Sequence, residues 1–186
     1  MILYPGISLD GEHAIMTKAV KSKKWKAALR FEQGCDLEEG FNRISALLKE
    51  MDSFLATVPG IGAEGMADLR LVCDEIGSNV VRHSSPLMDI SLDVELEAYS
   101  DHVHMRITDT GNEFNPFNQP LPYLGADLEK RRVGGLGLYL INQLFPLANY
   151  RRNCGHNISE VEYHMGFDGK KRMMRRSDTV TLKKQL

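Results

Sequence analysis

From Met88 through Ile90, Leu92, Val94 and Leu96 to Ala98, apolar and polar residues alternate without a break. A period of two satisfies only an extended strand with one buried face. The polar pair Ser100-Asp101 then separates this run from a second alternation, Val103, Met105 and Ile107, so the two read as an antiparallel hairpin. A half-buried hairpin must be covered, and the residues before it supply the cover. Leu37, Phe41, Ile44, Leu48, Met51 and Leu55 recur at helical spacing, with Asp36 as N-cap and Glu39 as capping carboxylate, and Pro59-Gly60 ends the run. A second helical pattern over 66–83 buries Leu69, Val72, Cys73, Ile76 and Val80. Upstream, Trp25, Ala27, Leu29 and Phe31 alternate as one more strand.

Periodicity disappears over 109–135, a stretch with Gly, Asn and three prolines. Loops of that length inside a domain are usually lids or binding segments. Helical spacing returns at Leu136, Leu140, Ile141 and Leu144, stopped by Pro146, and strand candidates follow at 148–152 and 158–165. Asp168-Gly169 is a hairpin signal, and 179–182 is a candidate last strand. The order βαα-ββ-loop-α-ββ predicts an α+β two-layer sandwich, with helices packed on one face of a mostly antiparallel sheet. Residues 1–24 form an N-terminal extension, 25–165 the domain, and 166–186 a basic C-terminal extension.

Charge and cysteine content narrow the function classes. With 186 residues the chain closes one core. Residues 31–169 hold ten Lys and Arg against twenty-two Asp and Glu, so the body favours a protein partner over direct contact with nucleic acid. Cys35, Cys73 and Cys154 are widely spaced without a C-x-x-C, which points away from a disulfide framework or zinc site. No apolar run reaches the roughly 18 residues of a membrane span. A reduced, cytoplasmic setting is expected. His102 and His104 share a strand face, but no third metal ligand lies near in sequence, so a solvated sheet surface is the simpler reading.

Three local patterns carry candidate chemistry. Glu75 and Asn79, four apart on the second helix, stack on one face. A carboxamide oxygen is a hard ligand for Mg²⁺, and a carboxylate accepts a proton from an attacking hydroxyl. Taken alone, E-x-x-x-N equally describes a solvated polar face. Gly77 between them adds to the pattern, because a mid-helix glycine often marks close approach of another group. Asp109, in Asp109-Thr110-Gly111, ends a strand, where a carboxylate accepts a hydrogen bond from an exocyclic amine and Gly111 lets backbone come near a flat ring. Alone, it is also an ordinary turn. Gly134-Gly135-Leu136-Gly137 opens a helix, where bare N–H groups and the helix dipole favour phosphate oxygens; a flexible lead-in has the same composition.

In order, these patterns resemble the ATP-binding (Bergerat) fold shared by gyrase B, heat-shock chaperone ATPases, histidine kinases and mismatch-repair ATPases. The strings LVCDEIGSNVVRHS, ITDTGNEFNPF and GGLGLYLINQLF are most similar to the stand-alone anti-sigma factor serine/threonine kinases, over roughly residues 25–165. The resemblance implies ATP and Mg²⁺ as cofactors. It assigns Glu75 as the acid/base for the acceptor serine, Asn79 as the Mg²⁺ ligand, and Asp109 with Gly111 as the adenine site. It makes 115–133 the ATP lid, puts Gly135, Leu136 and Gly137 at the phosphates, and sets Arg82 and His83 at the rim. It also implies a STAS-type anti-anti-sigma protein as substrate and a sigma factor or other regulator as binding partner, in a partner-switching circuit; relatives often form homodimers. An alternative from a different class is a nucleotide-sensing module whose partner affinity is set by ATP without phosphotransfer. Two departures stand out. Glu113 occupies a position where relatives often carry proline, and about twenty more residues follow the family's final hairpin, which fits Asn149 to Ile158 better than the alternative register at Val161 to Arg172.

Overall fold

The alternating runs pair in register. In the computed structural model, which describes residues 22–85, 87–119 and 136–166, β2 (Ile90–Ala98) and β3 (His102–Asp109) are antiparallel, with Val94 opposite Ile107 and Leu96 opposite Met105. Strand β1 (Lys23–Phe31) pairs with β2 on its other side. A second hairpin, β4 (Asn149–Asn153) and β5 (His156–His164), joins through β5, which lies beside β3. Among the described residues the sheet order is β1-β2-β3-β5-β4, antiparallel throughout.

Helices α1 (Leu37–Leu55), α2 (Gly62–His83) and α3 (Leu136–Leu144) contribute their apolar stripes to one core. Ile44, Leu48 and Met51 of α1 and Leu69, Val72 and Ile76 of α2 are buried with Val94, Leu96, Met105 and Ile107 of the sheet. The other sheet face is a checkerboard of cross-strand ion pairs, including Lys24–Glu97 and Lys26–Glu95 at 2.7 Å and Arg106–Glu160 at 2.8 Å. His102 and His104 project there beside acidic residues, and no metal-binding group is found among the described residues. No described helix is long and apolar enough to cross a membrane.

Local signals account for the element ends, with some adjustments. Asp36 caps α1, accepting from the N–H groups of Glu38 and Glu39 at 2.9 and 3.1 Å. Glu39 does not reach back to complete a capping box; its carboxylate accepts from Arg43 one turn on. Helix α2 starts at Gly62, earlier than the apolar period indicates, with no side-chain cap. Gly77 has a packing reason: a Cβ there would fall 2.9 Å from Ile44 Cδ1, and one at Gly40 would fall 2.6 Å from Val81 Cγ1. These two glycines let α1 and α2 cross closely, so the close approach at Gly77 is made by a neighbouring helix. The β4–β5 hairpin turns at Cys154 (φ 47°) and Gly155 (φ 81°), both left-handed, as a two-residue type I′ connection requires. The sequence signals at Asp168-Gly169 and 179–182 lie outside the described residues.

Candidate nucleotide site

The C-terminal half of α2 runs alongside the loop that leaves β3, and hydrogen bonds tie the two together. Asn112 N–H donates to Ser84 Oγ at 3.2 Å, and its side-chain Nδ2 donates to the His83 carbonyl at 3.3 Å. Gly111 is held where any Cβ would lie 2.5 Å from Ser84 Oγ and 2.9 Å from Asp109 Oδ1, so only glycine fits. The result is a cavity of about 300 Å³ between helix and sheet. Ile76, Asn79 and His83 line it from α2, and Asp109 from the end of β3. Phe114 and Pro116 of the following loop form another wall, and Asn157 and Ser159 reach it from β5.

The polar groups in this cavity are oriented by their bonds. Asn79 Nδ2 donates to the backbone carbonyl of Glu75 at 2.8 Å, which leaves the amide oxygen as the outward end of the side chain. Asp109 is 5% exposed, and its Oδ1 accepts from Gly111 N–H and from Asn157 Nδ2, each at 2.8 Å. Burial pushes its carboxyl above the usual aspartate range; the Asn157 and Gly111 bonds and the charges of Arg152 and His156 pull the other way. The carboxyl group is thus held in a poorly hydrated place, where an incoming N–H donor is worth most.

Glu75 sits one turn before Asn79, against the first turn of α3. A Cβ on Gly137 would overlap the Glu75 carboxyl group and lie 2.7 Å from its Cγ. Burial raises the Glu75 carboxyl above the ordinary glutamate range, Asp74 adds to that, and Arg82 opposes it. A raised pKa makes the carboxylate a better proton acceptor.

Asn79, His83 and Asp109 thus meet in one cavity; Gly111, in the loop that follows β3, packs against Ser84, and Glu75 lies beside Gly137. Arg82 does not line this cavity; its guanidinium lies over the Phe41 ring, 5.2 Å from the centroid. Leu136 begins α3 and is 55% exposed. Gly135 and most of 115–133 lie outside the described residues. Sequence patterns did not single out Ser84, Asn157 or Ser159. A polar residue at an inward position of an alternating strand, as at Asn157 and Ser159, is the signal that marks them. Cys73 is buried on α2, its thiol pushed up to about 12 by burial, which suits a small core residue.

A family model described as a histidine kinase-like ATPase domain matches residues 41–161, the span from α1 to β5 that encloses the cavity. Proteins named serine-protein kinase RsbW, from Listeria innocua and Listeria monocytogenes, are 34% identical over 116 residues, covering 60% of this chain and 74% of theirs. Another of that name, from Oceanobacillus iheyensis, is 26% identical over 121 residues, 60% of this chain and 73% of its own.

Proposed function

This chain belongs to the histidine kinase-like ATPase family and, within it, to the anti-sigma factor serine kinases, and on that premise we propose that it transfers the γ-phosphoryl group of ATP to a serine or threonine of a small anti-anti-sigma protein. In this reading it also holds a sigma factor or comparable regulator, and acts in the cytoplasm as the switch between the two partners. The observation that carries it is the convergence of Asn79, His83 and Asp109 on one cavity with Glu75 one helical turn away.

Each residue has a role that its surroundings support. Asp109 accepts the adenine amine, its other bonds being donated by Gly111 and Asn157. Asn79 offers its amide oxygen to Mg²⁺, because its nitrogen is committed to the Glu75 carbonyl. Bound Mg²⁺ supplies neutralisation of the charge on the transferred phosphoryl group, the larger part of catalysis in such reactions. Glu75 takes the proton of the attacking hydroxyl as the new O–P bond forms and the bond to the β-phosphate oxygen breaks, so that ADP leaves. Gly137 brings the first turn of α3, whose N–H groups suit phosphate oxygens, against the Glu75 carboxyl group.

The test is incubation with ATP labelled at the γ-phosphate and candidate acceptor proteins. Label on a serine or threonine of the acceptor, abolished by Glu75→Gln while ATP still binds, is the expected result. Binding of ATP with no transfer to any acceptor would leave the nucleotide-sensing alternative in its place.

A further inference from the structure

Three residues lie in one row across three strands, on the core-facing side of the sheet. Asp109 of β3 is directly opposite Asn157 of β5, and Asn157 is directly opposite Arg152 of β4. Asn157 is 3% exposed and uses both ends of its carboxamide. Its oxygen accepts from Arg152 at 2.6 Å and from Tyr150 Oη at 2.9 Å. Its nitrogen donates to Asp109 Oδ1 and to the Asn112 carbonyl, both at 2.8 Å, with the Gly111 carbonyl at 3.4 Å. Arg152 also donates to that Gly111 carbonyl at 3.2 Å.

The chemistry of the donors fixes the direction of this row. Asparagine fits its pocket in two orientations of nearly equal shape, and only its hydrogen-bond partners select one. A guanidinium has donors and no acceptor, so it forces the amide oxygen of Asn157 toward β4. The amide nitrogen must then face Asp109 and the loop carbonyls, all of them acceptors. In the reversed orientation the Asn157 oxygen would meet the Asp109 carboxylate, and its NH₂ would meet a cation.

We propose that Arg152 is a positioning residue for nucleotide recognition: by orienting Asn157 it holds Asp109 and the Gly111–Asn112 backbone in the arrangement that selects adenine. This rests on the reading of Asp109 as the adenine acceptor. Arg152 acts through Asn157, so its charge sign and donor character matter more than its shape. Lysine, also a pure donor, preserves the orientation. Glutamate, a pure acceptor when ionised, reverses it by drawing the Asn157 NH₂ toward itself.

The experiment is calorimetric titration of the full chain with MgATP, MgGTP and magnesium tripolyphosphate, with thermal melting of every variant alongside. Arg152→Lys should keep ATP affinity within about threefold of the parent. Arg152→Glu should weaken ATP by about tenfold or more, the equivalent of one hydrogen bond to a charged group, while GTP and tripolyphosphate affinities stay unchanged. Loss of ATP preference is a readout that a purely structural role would not move. If Arg152→Glu does not fold, Asn157→Ser makes the same test, because a hydroxyl cannot bridge all these partners; it should lower the ATP preference in the same way. Retained ATP preference in the folded acidic variant, or in Asn157→Ser where that variant replaces it, would overturn the proposal, as would equal losses in the lysine and glutamate variants. Asp109→Asn is the control that separates the two levels. If it leaves ATP affinity unchanged, the adenine assignment fails and this inference with it; if it weakens ATP while the Arg152 and Asn157 variants do not, this inference alone fails.

Discussion

Gly137→Ala is the smallest change that probes the proposed base, Glu75, without replacing it. The added methyl would lie 2.7 Å from Glu75 Cγ and overlap its carboxyl group, where carbon–carbon contact is comfortable at about 3.5–4.0 Å. Glu75 is the far end of a flexible side chain, so it moves and the helices stay. The displacement needed is on the order of 1 Å, and misplacement of that size in a reacting group costs roughly a hundredfold in rate, or about 2.7 kcal/mol of barrier. The fold should not suffer, since alanine is favoured over glycine in helices by up to about 1 kcal/mol. The assay is single-turnover transfer from labelled ATP to the acceptor protein, with melting as the control for folding. Gly137→Ala should melt at or above the parent temperature and transfer about a hundredfold more slowly. Because the effect runs through Glu75, the double variant with Glu75→Gln should be no slower than Glu75→Gln alone. Full transfer by a folded Gly137→Ala protein, or losses that simply multiply in the double variant, would mean that Gly137 does not act through Glu75.

Other expectations follow from the same geometry. The rate of transfer should fall on acidification with a midpoint above the ordinary glutamate range, since burial and Asp74 raise the Glu75 carboxyl and its acid form cannot accept the proton; a midpoint below that range would contradict the role. Because the folded-state pKa of Asp109 is raised, its folded state holds the proton more tightly, and ionisation costs stability as pH rises through the window just above the usual aspartate value. The melting-temperature difference between Asp109→Asn and the parent should therefore grow in favour of the variant as pH climbs through that window. Cys154→Asn should stabilise the protein by about 0.5–1 kcal/mol, because asparagine tolerates the left-handed φ of 47° that this turn imposes; an unchanged or lower melting temperature would count against it. Gly65→Ala should destabilise by about 1–3 kcal/mol, since its methyl would lie 2.9 Å from the Tyr163 hydroxyl oxygen, and closer still to the ring.

Periodicity made most of the scaffold legible. The alternation from Ile90 to Ala98 and the helical stripes of α1 and α2 name the buried faces that the structure packs together. The spacing of Glu75 and Asn79 is a helical property, so their shared face could be read directly. The row from Arg152 through Asn157 to Asp109 is a property of pairing between strands far apart in the chain. It becomes visible only once the turn at Cys154-Gly155 sets the register, and a cysteine where such turns favour asparagine hid that signal. The reason for Gly77 was hidden for a similar cause, since the group that approaches it, Ile44, comes from another helix. The direction of Arg82 toward Phe41 likewise depends on how α1 crosses α2, which no local pattern encodes.

We assign α2, the end of β3 and the start of α3 to one purine nucleotide site. Calorimetric titration of MgATP into the parent chain and into Asp109→Asn tests it most directly. Saturable uptake by the parent, weakened about tenfold or more in a variant that melts normally, is the predicted result; no uptake by the parent, or equal affinity in both proteins, would contradict it.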